Sequence, residues 1–266
     1  MPKQKQHFLS VVIPAYKQEK TIIEDIDHIK KVLDNLNYHY EIIIVVDGKI
    51  DKTYDNAKKA ASSRVKVVGY DSNRGKGYAV RYGMVRTKGD LIAFIDSGMD
   101  LNPEGIPLLI EHMLWYNSDV IVGSIRHSAS KVTGYPLKRK IYSWGYHLLT
   151  KILFGLRITD SQRGLKVFRR CVLEKVLPRL LVKRYAFDIE ILSVAYHLGY
   201  TRIHDGPVEL DATKYALSSI KSSTIIDMLK DTLAVFYRLK ILHYYDTSSQ
   251  RHWQFDPELN FRVNLG

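Results

Sequence analysis

The chain has 266 residues and a single cysteine, Cys171. One thiol excludes an intramolecular disulfide and any zinc site built from cysteines, and it suits a reducing compartment. No stretch of about 18 uncharged apolar residues occurs, so no segment is expected to span a bilayer and any membrane contact is expected to be peripheral. The opening stretch, MPKQKQHFLSVVIPAY, is basic but holds only a short apolar run before Pro14, which makes a poor signal peptide. Acidic residues are in deficit: 28 Asp and Glu face 40 Lys and Arg, a formal charge of +12. That balance asks for an anionic partner, whether nucleic acid, an acidic membrane or a phosphorylated substrate. The basic residues are spread along the chain without a recognisable nucleic-acid-binding motif, so no nucleic-acid partner is expected. No internal repeat is present.

What is present is a hydrophobic content of 45%, enough for one substantial core. Short apolar runs rich in β-branched residues recur at 9–13, 41–46, 65–68, 91–95 and 120–122. Stretches with helical spacing lie between them at 21–36, 52–62, 77–86 and 103–115. Runs that are apolar throughout, alternating with helices, predict an α/β fold with a mostly parallel sheet covered on both faces. Ligands of such sheets collect beyond the carboxyl ends of the strands, which gathers residues 14–19, 47–51, 71–76 and 96–102 around one cleft. Residues 123–136 are polar, without periodicity, and read as a long loop of the functional kind. Residues 137–156 and 218–245 read as amphipathic helices, and packing on the chain's own core or lying at a membrane interface fits either of them. The expected organisation is a main domain over 1–215, a helical extension over 216–245 that is a candidate for membrane association, and a polar tail over 246–266.

The densest chemistry lies between Asn73 and Pro103. Asn73-Arg-Gly-Lys-Gly77 lets backbone and ammonium approach an anion closely. Gly89-Asp90-Leu-Ile-Ala-Phe-Ile-Asp96 is an apolar strand ending in a carboxylate, which at a cleft rim can hold a divalent cation against a diphosphate. Each element alone is weak, since an Asp after a strand is most often a turn former.

Taken in order, Val11-Val-Ile-Pro-Ala-Tyr16, Glu41 to Gly48 with Asp51 and Thr53, Asn73 to Gly77, Gly89 to Asp96 with Pro103, Gly123-Ser-Ile-Arg126, Asp160 to Phe168 and Phe187-Asp-Ile-Glu190 resemble family-2 glycosyltransferases. The likeness is nearest to the polyprenyl-phosphate (dolichyl-phosphate) mannosyl- or glucosyltransferases and runs over roughly residues 8–210. It implies a GT-A fold, inverting transfer of a hexose from GDP- or UDP-sugar, Mg2+ or Mn2+, and a polyprenyl phosphate acceptor reached peripherally from the cytoplasmic face of a membrane. By position, Pro14, Ala15, Tyr16, Glu19 and Asp47 would line the nucleotide pocket, with Lys76 and Asp90 near the base or diphosphate. Asp96 would bind the metal. The family's second aspartate is here Gly98, and Asp100 is the next candidate ligand. Lys17 and Lys49 stand where neutral residues are usual. They would take over part of the charge neutralisation, in which case transfer would persist in EDTA.

A phosphate monoester is already anionic at neutral pH, so it needs cations to position it more than a strong general base. Arg126, Arg139 and Ser143 resemble the family's lipid-phosphate-binding set. Asp160, Gln162 and Lys166 would order the cleft wall or touch the diphosphate. Two alternatives stay open: a saccharide or protein hydroxyl acceptor, with Asp188 or Glu190 as catalytic base, and a catalytically degenerate binding protein. As residues two apart on a helix, Asp188 and Glu190 do not share a face closely, so spacing does not make them a pair.

Overall fold

The computed structural model describes residues 7–213, 222–248, 253–259 and 261–264. The chain alternates β1 (Phe8–Ala15), α1 (Ile22–Asp34), β2 (His39–Asp47), α2 (Thr53–Lys59), β3 (Val65–Tyr70), α3 (Lys76–Met84), β4 (Leu91–Ile95), α4 (Gly105–Trp115) and β5 (Val120–Ser124). Every apolar run expected to be a strand lies inside one, and every stretch expected to be helical overlaps a helix, α3 beginning one residue earlier than expected. Pairing is parallel throughout this half, and β1 lies between β2 and β4. The first strand is therefore where the strand order reverses, and the crevice beyond its carboxyl end is the natural ligand position. Strands β1, β2, β4 and β5 are buried along almost their whole length, because helices cover both faces.

The second half departs from simple alternation. It adds β6 (Lys131–Thr133), α5 (Leu137–Phe154), β7 (Leu165–Arg169), α6 (Arg170–Val176), a 3-10 turn (Leu177–Arg179), α7 (Phe187–His197), β8 (Ile203–Pro207), β9 (Glu209–Asp211) and α8 (Ser222–Lys240). Strand β7 inserts antiparallel between β4 and β5, giving a seven-stranded order β3-β2-β1-β4-β7-β5-β8. The expected loop 123–136 is interrupted by β6, which pairs with β9 beside the main sheet.

Helix α8 docks beside α5: the Tyr146 and Thr232 hydroxyls lie 2.9 Å apart and Phe154 meets Phe236 edge-on. It buries Thr232, Val235 and Leu239 while Ile226, Leu233 and Tyr237 face out; on α5 Leu137, Ile141, Tyr142 and Trp144 do the same. Core packing and an exposed apolar side thus coexist on both helices. The expected first residues of the last helix, 218–221, fall outside the described residues. Among those described, no helix is long and apolar enough to cross a membrane. The polar tail contains a hairpin, β10 (Trp253–Asp256) and β11 (Phe261–Asn264), whose Leu259 and Val263 are buried against Tyr78.

Candidate functional site

At the carboxyl end of β4, the backbone N–H of Asp96 donates to the Gly164 carbonyl at 2.9 Å, which fixes where its carboxylate emerges. A Cβ on Gly164 would lie 1.8 Å from Asp96 Oδ2, so any larger residue there must displace that carboxylate. Lys76, the first residue of α3, donates from Nζ to Asp96 Oδ2 at 2.9 Å and lies 3.4 Å from Asp188 Oδ2. Lys166 on β7 reaches Asp188 Oδ1 at 2.5 Å and the Arg163 carbonyl at 2.5 Å. Four charges therefore run in a line, Asp96, Lys76, Asp188 and Lys166, from the rim into the core.

Burial alone would lower the Lys76 pKa, but Asp188 and Asp96 outweigh it and hold the ammonium above the ordinary lysine value. At Lys166 burial prevails over Asp188 and pulls the pKa down. Asp188 is 2% exposed and faces two ammonium groups.

Beyond Asp96 the chain turns through Gly98 at φ +94°, whose N–H donates to Asp25 at 3.0 Å. Asp100 follows, half-buried. Its pKa is raised by burial and by the charge of Asp96, with Arg139 and Arg163 opposing. Two carboxylates that destabilise each other's charge at a cleft rim form a donor set suited to a hard cation, provided phosphate oxygens complete the shell. Among the described residues, no group of three or more His, Cys, Asp or Glu is assembled to hold a metal. The set of Asp96 and Asp100 fits a divalent ion carried in with a diphosphate, and does not make a protein-only cage. Lys49 pairs with Asp71 at 3.2 Å, Lys17 lies over the Tyr16 ring, and the cation on Asp96 is Lys76.

On the other side of the crevice, Pro14 and Ala15 end β1, with Tyr16 exposed at the rim. Glu19 accepts from the Lys52 N–H at 3.2 Å. Asp47, buried at the end of β2, accepts from the Tyr70 hydroxyl at 2.9 Å, Asn73 Nδ2 at 2.9 Å, Arg74 N at 2.7 Å and Gly75 N at 3.0 Å. Those four donors fill the carboxylate's capacity. Asp47 shapes the 73–76 turn that lines the pocket and has no lone pair left for a base.

Two expected site residues lie elsewhere. Asp90 precedes β4 and Asp96 follows it, so the two sit at opposite ends of a strand, roughly 20 Å apart at the usual rise. Asp90 accepts from the Phe8 N–H at 2.6 Å and pairs with His7, anchoring the start of β1 far from the cleft. Asp90→Ala is expected to change transfer kinetics less than about twofold while costing about 1–3 kcal/mol of stability for the donors left unmatched, read by urea unfolding. Glu190 faces the back of α7: it accepts from Leu181 N at 3.0 Å, Val182 N at 2.9 Å and the Tyr245 hydroxyl at 2.7 Å, and is wholly buried. Burial raises its pKa against those hydrogen bonds. It secures the 181–182 loop and the segment after α8, and cannot reach a substrate.

The residues expected at an acceptor phosphate do converge. Arg126, just after β5, donates to the Thr159 carbonyl at 3.1 Å and to Ser143 Oγ on α5 at 2.9 Å. Both line an open cavity of about 680 Å³ whose other walls include Tyr135, Lys140, Ile141 and Trp144. Arg139, on the first turn of α5, lies within electrostatic range of Asp100, as does Arg163, which donates to Tyr135 on the cavity wall. Asp160 accepts from Arg163 at 2.6 Å, which in turn donates to Tyr135 at 2.8 Å, and Gln162 donates to Tyr146 at 3.3 Å. These order the cleft wall as expected, whereas Lys166 is buried beneath it. Gly164 and Tyr135 were not expected; the only sequence signal for them was the Arg-Gly pair in the 160–168 stretch and an aromatic residue in a basic loop.

A mostly parallel sheet with an acidic rim at the end of its fourth strand and one antiparallel strand inserted beside it defines a GT-A type α/β fold. The chain belongs to Glycosyl transferase family 2, which it matches over residues 10–177. It is 32% identical over 205 residues to the dolichyl-phosphate beta-glucosyltransferase of Drosophila melanogaster, covering 71% of this chain and 63% of that longer protein. It is 30% identical to the Dictyostelium discoideum protein of the same name, covering 87% of this chain and 74% of the other. Among solved structures, the glucosyl-3-phosphoglycerate synthase of Mycobacterium tuberculosis in complex with Mn2+, uridine diphosphate and phosphoglyceric acid superposes over 97% of this chain and 86% of its own, with a TM-score of 0.64 at 23% identity. That likeness speaks to the fold.

Proposed function

We propose that the protein transfers a hexose, with inversion, from a nucleotide sugar to a polyprenyl phosphate, and that UDP-glucose is the first donor to test. The observation that carries this reading is the Arg126–Ser143 pair in a basic, aromatic-rimmed cavity whose wall residue Tyr135 accepts from Arg163, a cation within electrostatic range of Asp100. The acceptor's phosphate oxygen attacks the anomeric carbon, a new carbon–oxygen bond forms on the face opposite the leaving group, and the bond to the nucleoside diphosphate breaks. No proton has to be removed from a phosphate dianion, which agrees with an Asp188 already committed to two lysines. Arg126 and Ser143 would hold the acceptor phosphate in line, and Lys76 would offset negative charge building on the departing diphosphate. Asp96 and Asp100 would hold a divalent ion, Mg2+ or Mn2+, which supplies Lewis-acid stabilisation of the diphosphate when bound.

Helix α5, which walls the cavity, and α8, packed beside it, both expose apolar residues that would lie on the cytoplasmic surface of a membrane, presenting the cavity to a lipid headgroup. The test is incubation of purified protein with radiolabelled UDP- and GDP-hexoses, Mn2+ and dolichyl or undecaprenyl phosphate. A lipid-linked sugar is expected with one donor, and no lipid product with any of them overturns the reading. Arg126→Ala should raise the KM for the lipid phosphate by about tenfold to a hundredfold, the range for losing a charge-assisted hydrogen bond, with the donor KM unchanged.

A further inference from the structure

The carboxyl-terminal hairpin lies outside the part of the chain that matches the family, yet it touches the donor side of the site. Glu258, in the turn between β10 and β11, is engaged by both terminal nitrogens of Arg74, with NH2 to Oε1 at 2.9 Å, and accepts from the Tyr78 hydroxyl at 2.6 Å. Arg74 belongs to the 73–76 turn. Its backbone N–H is held from beneath by Asp47, and its guanidinium lies over the rings of Tyr70 and Tyr78. The next residue but one is Lys76, whose ammonium sits on Asp96. The turn is thus gripped on its backbone by β2 and on its side chain by the hairpin.

The opposite wall is tied to the same end of the chain. Gly75, at φ +101°, presses on the Lys183 carbonyl, where a Cβ would come to 2.4 Å. The 181–183 segment is in turn held by Glu190, which receives the Tyr245 hydroxyl from just beyond α8.

We infer that this hairpin is a working part of the donor site, and that Glu258 is a positioning residue which holds Arg74, and with it the 73–76 turn, in shape for a nucleoside diphosphate. The inference rests on the donor-side reading of that turn. A bidentate arginine–carboxylate pair fixes orientation as well as distance, and preorganising a loop improves affinity by removing the cost of ordering it. The hairpin has other anchors: Arg86 donates to the Glu258 carbonyl at 2.6 Å and Leu259 and Val263 are buried, while Asp256 holds the turn itself by accepting from the N–H groups of Glu258 and Leu259 at 2.9 and 3.0 Å. Removing the Glu258 carboxylate should therefore release Arg74 without detaching the strands.

The test is calorimetric titration of the full chain with UDP and with GDP in the presence of Mn2+, alongside donor kinetics and thermal unfolding. Glu258→Ala is expected to weaken the bound nucleotide about tenfold and to raise the donor KM to match, with kcat, the lipid KM and Tm little changed. Glu258→Asp should recover part of the loss, and Arg74→Ala combined with Glu258→Ala should be no worse than Arg74→Ala alone, the mark of two residues acting as one unit. Unchanged affinity and donor KM in Glu258→Ala would overturn the inference, as would a loss of affinity accompanied by a matching fall in Tm, which would make the hairpin a brace for the fold only. A wild-type protein that binds neither nucleotide would instead overturn the donor-site reading itself.

Discussion

Asp96→Asn is expected to lower kcat for sugar transfer by about 10²–10³-fold or more, the loss typical of deleting one preorganised charge aimed at the transition state. It leaves a side chain of the same shape on a residue whose backbone is held by Gly164. The companion variant, Gly164→Ala, should reproduce most of that deficit without touching a charged residue. Its new methyl group would stand where Asp96 Oδ2 now lies, so the carboxylate must rotate off Lys76 and away from the Asp100 side. Transfer rates over an Mn2+ titration decide the matter. In Gly164→Ala the metal concentration for half-maximal rate should rise together with the fall in kcat, because a displaced carboxylate weakens both functions. Full activity in Gly164→Ala would mean that the orientation of Asp96 is unimportant, and full activity in Asp96→Asn would remove it from the chemistry.

That glycine marks a limit on what could be read from the chain. The alternation of apolar runs and helices placed β1 to β5 correctly, because strands buried on both faces have a composition that survives without context. Strand β7 escaped notice: five residues holding two charges do not look like the interior of a sheet, and Lys166 is tolerated there only because Asp188 comes from α7 to meet it. Within the site, two separate groups from the motif order converge, Lys76 with Asp96 and Asp100, and Arg126 with Ser143. Asp90 does not, since a motif read as a string is blind to the strand between its ends. Glu190 does not either, since residues two apart on a helix point to different sides, one to the cleft and one to the 181–182 loop. The hairpin was out of reach for a different reason. Among its described side chains the buried apolar ones are Leu259 and Val263, isolated from any longer apolar run, and the partner of Glu258 is 184 residues away.

The second large effect concerns Asp188. Asp188→Ala removes the countercharge of Lys166, a side chain with no solvent exposure, and one of the two carboxylates on Lys76. Breaking a buried pair by deleting one member costs about 3–5 kcal/mol, because the charge left behind has neither water nor partner. The sign with pH follows from the direction of the Lys166 shift. Its pKa is already lowered in the folded protein by burial, and without Asp188 it falls further. Between that depressed value and the ordinary lysine value of about 10.4 the unfolded chain binds more protons than the folded one, so stability rises with pH across the window. The deficit of Asp188→Ala in urea unfolding should accordingly be largest near neutrality and shrink on the way to pH 10, while a deficit independent of pH would assign the cost to lost packing. Joining Asp188→Asn to Lys166→Gln replaces the ion pair by two neutral amides of similar size and should restore most of the stability. The same double variant separates positioning from base catalysis. If it transfers to a lipid phosphate at near wild-type rate once refolded stability is regained, Asp188 serves to set Lys76 against Asp96; if stability returns and transfer does not, the carboxylate itself takes part, and a hydroxyl acceptor needing a base becomes the better account.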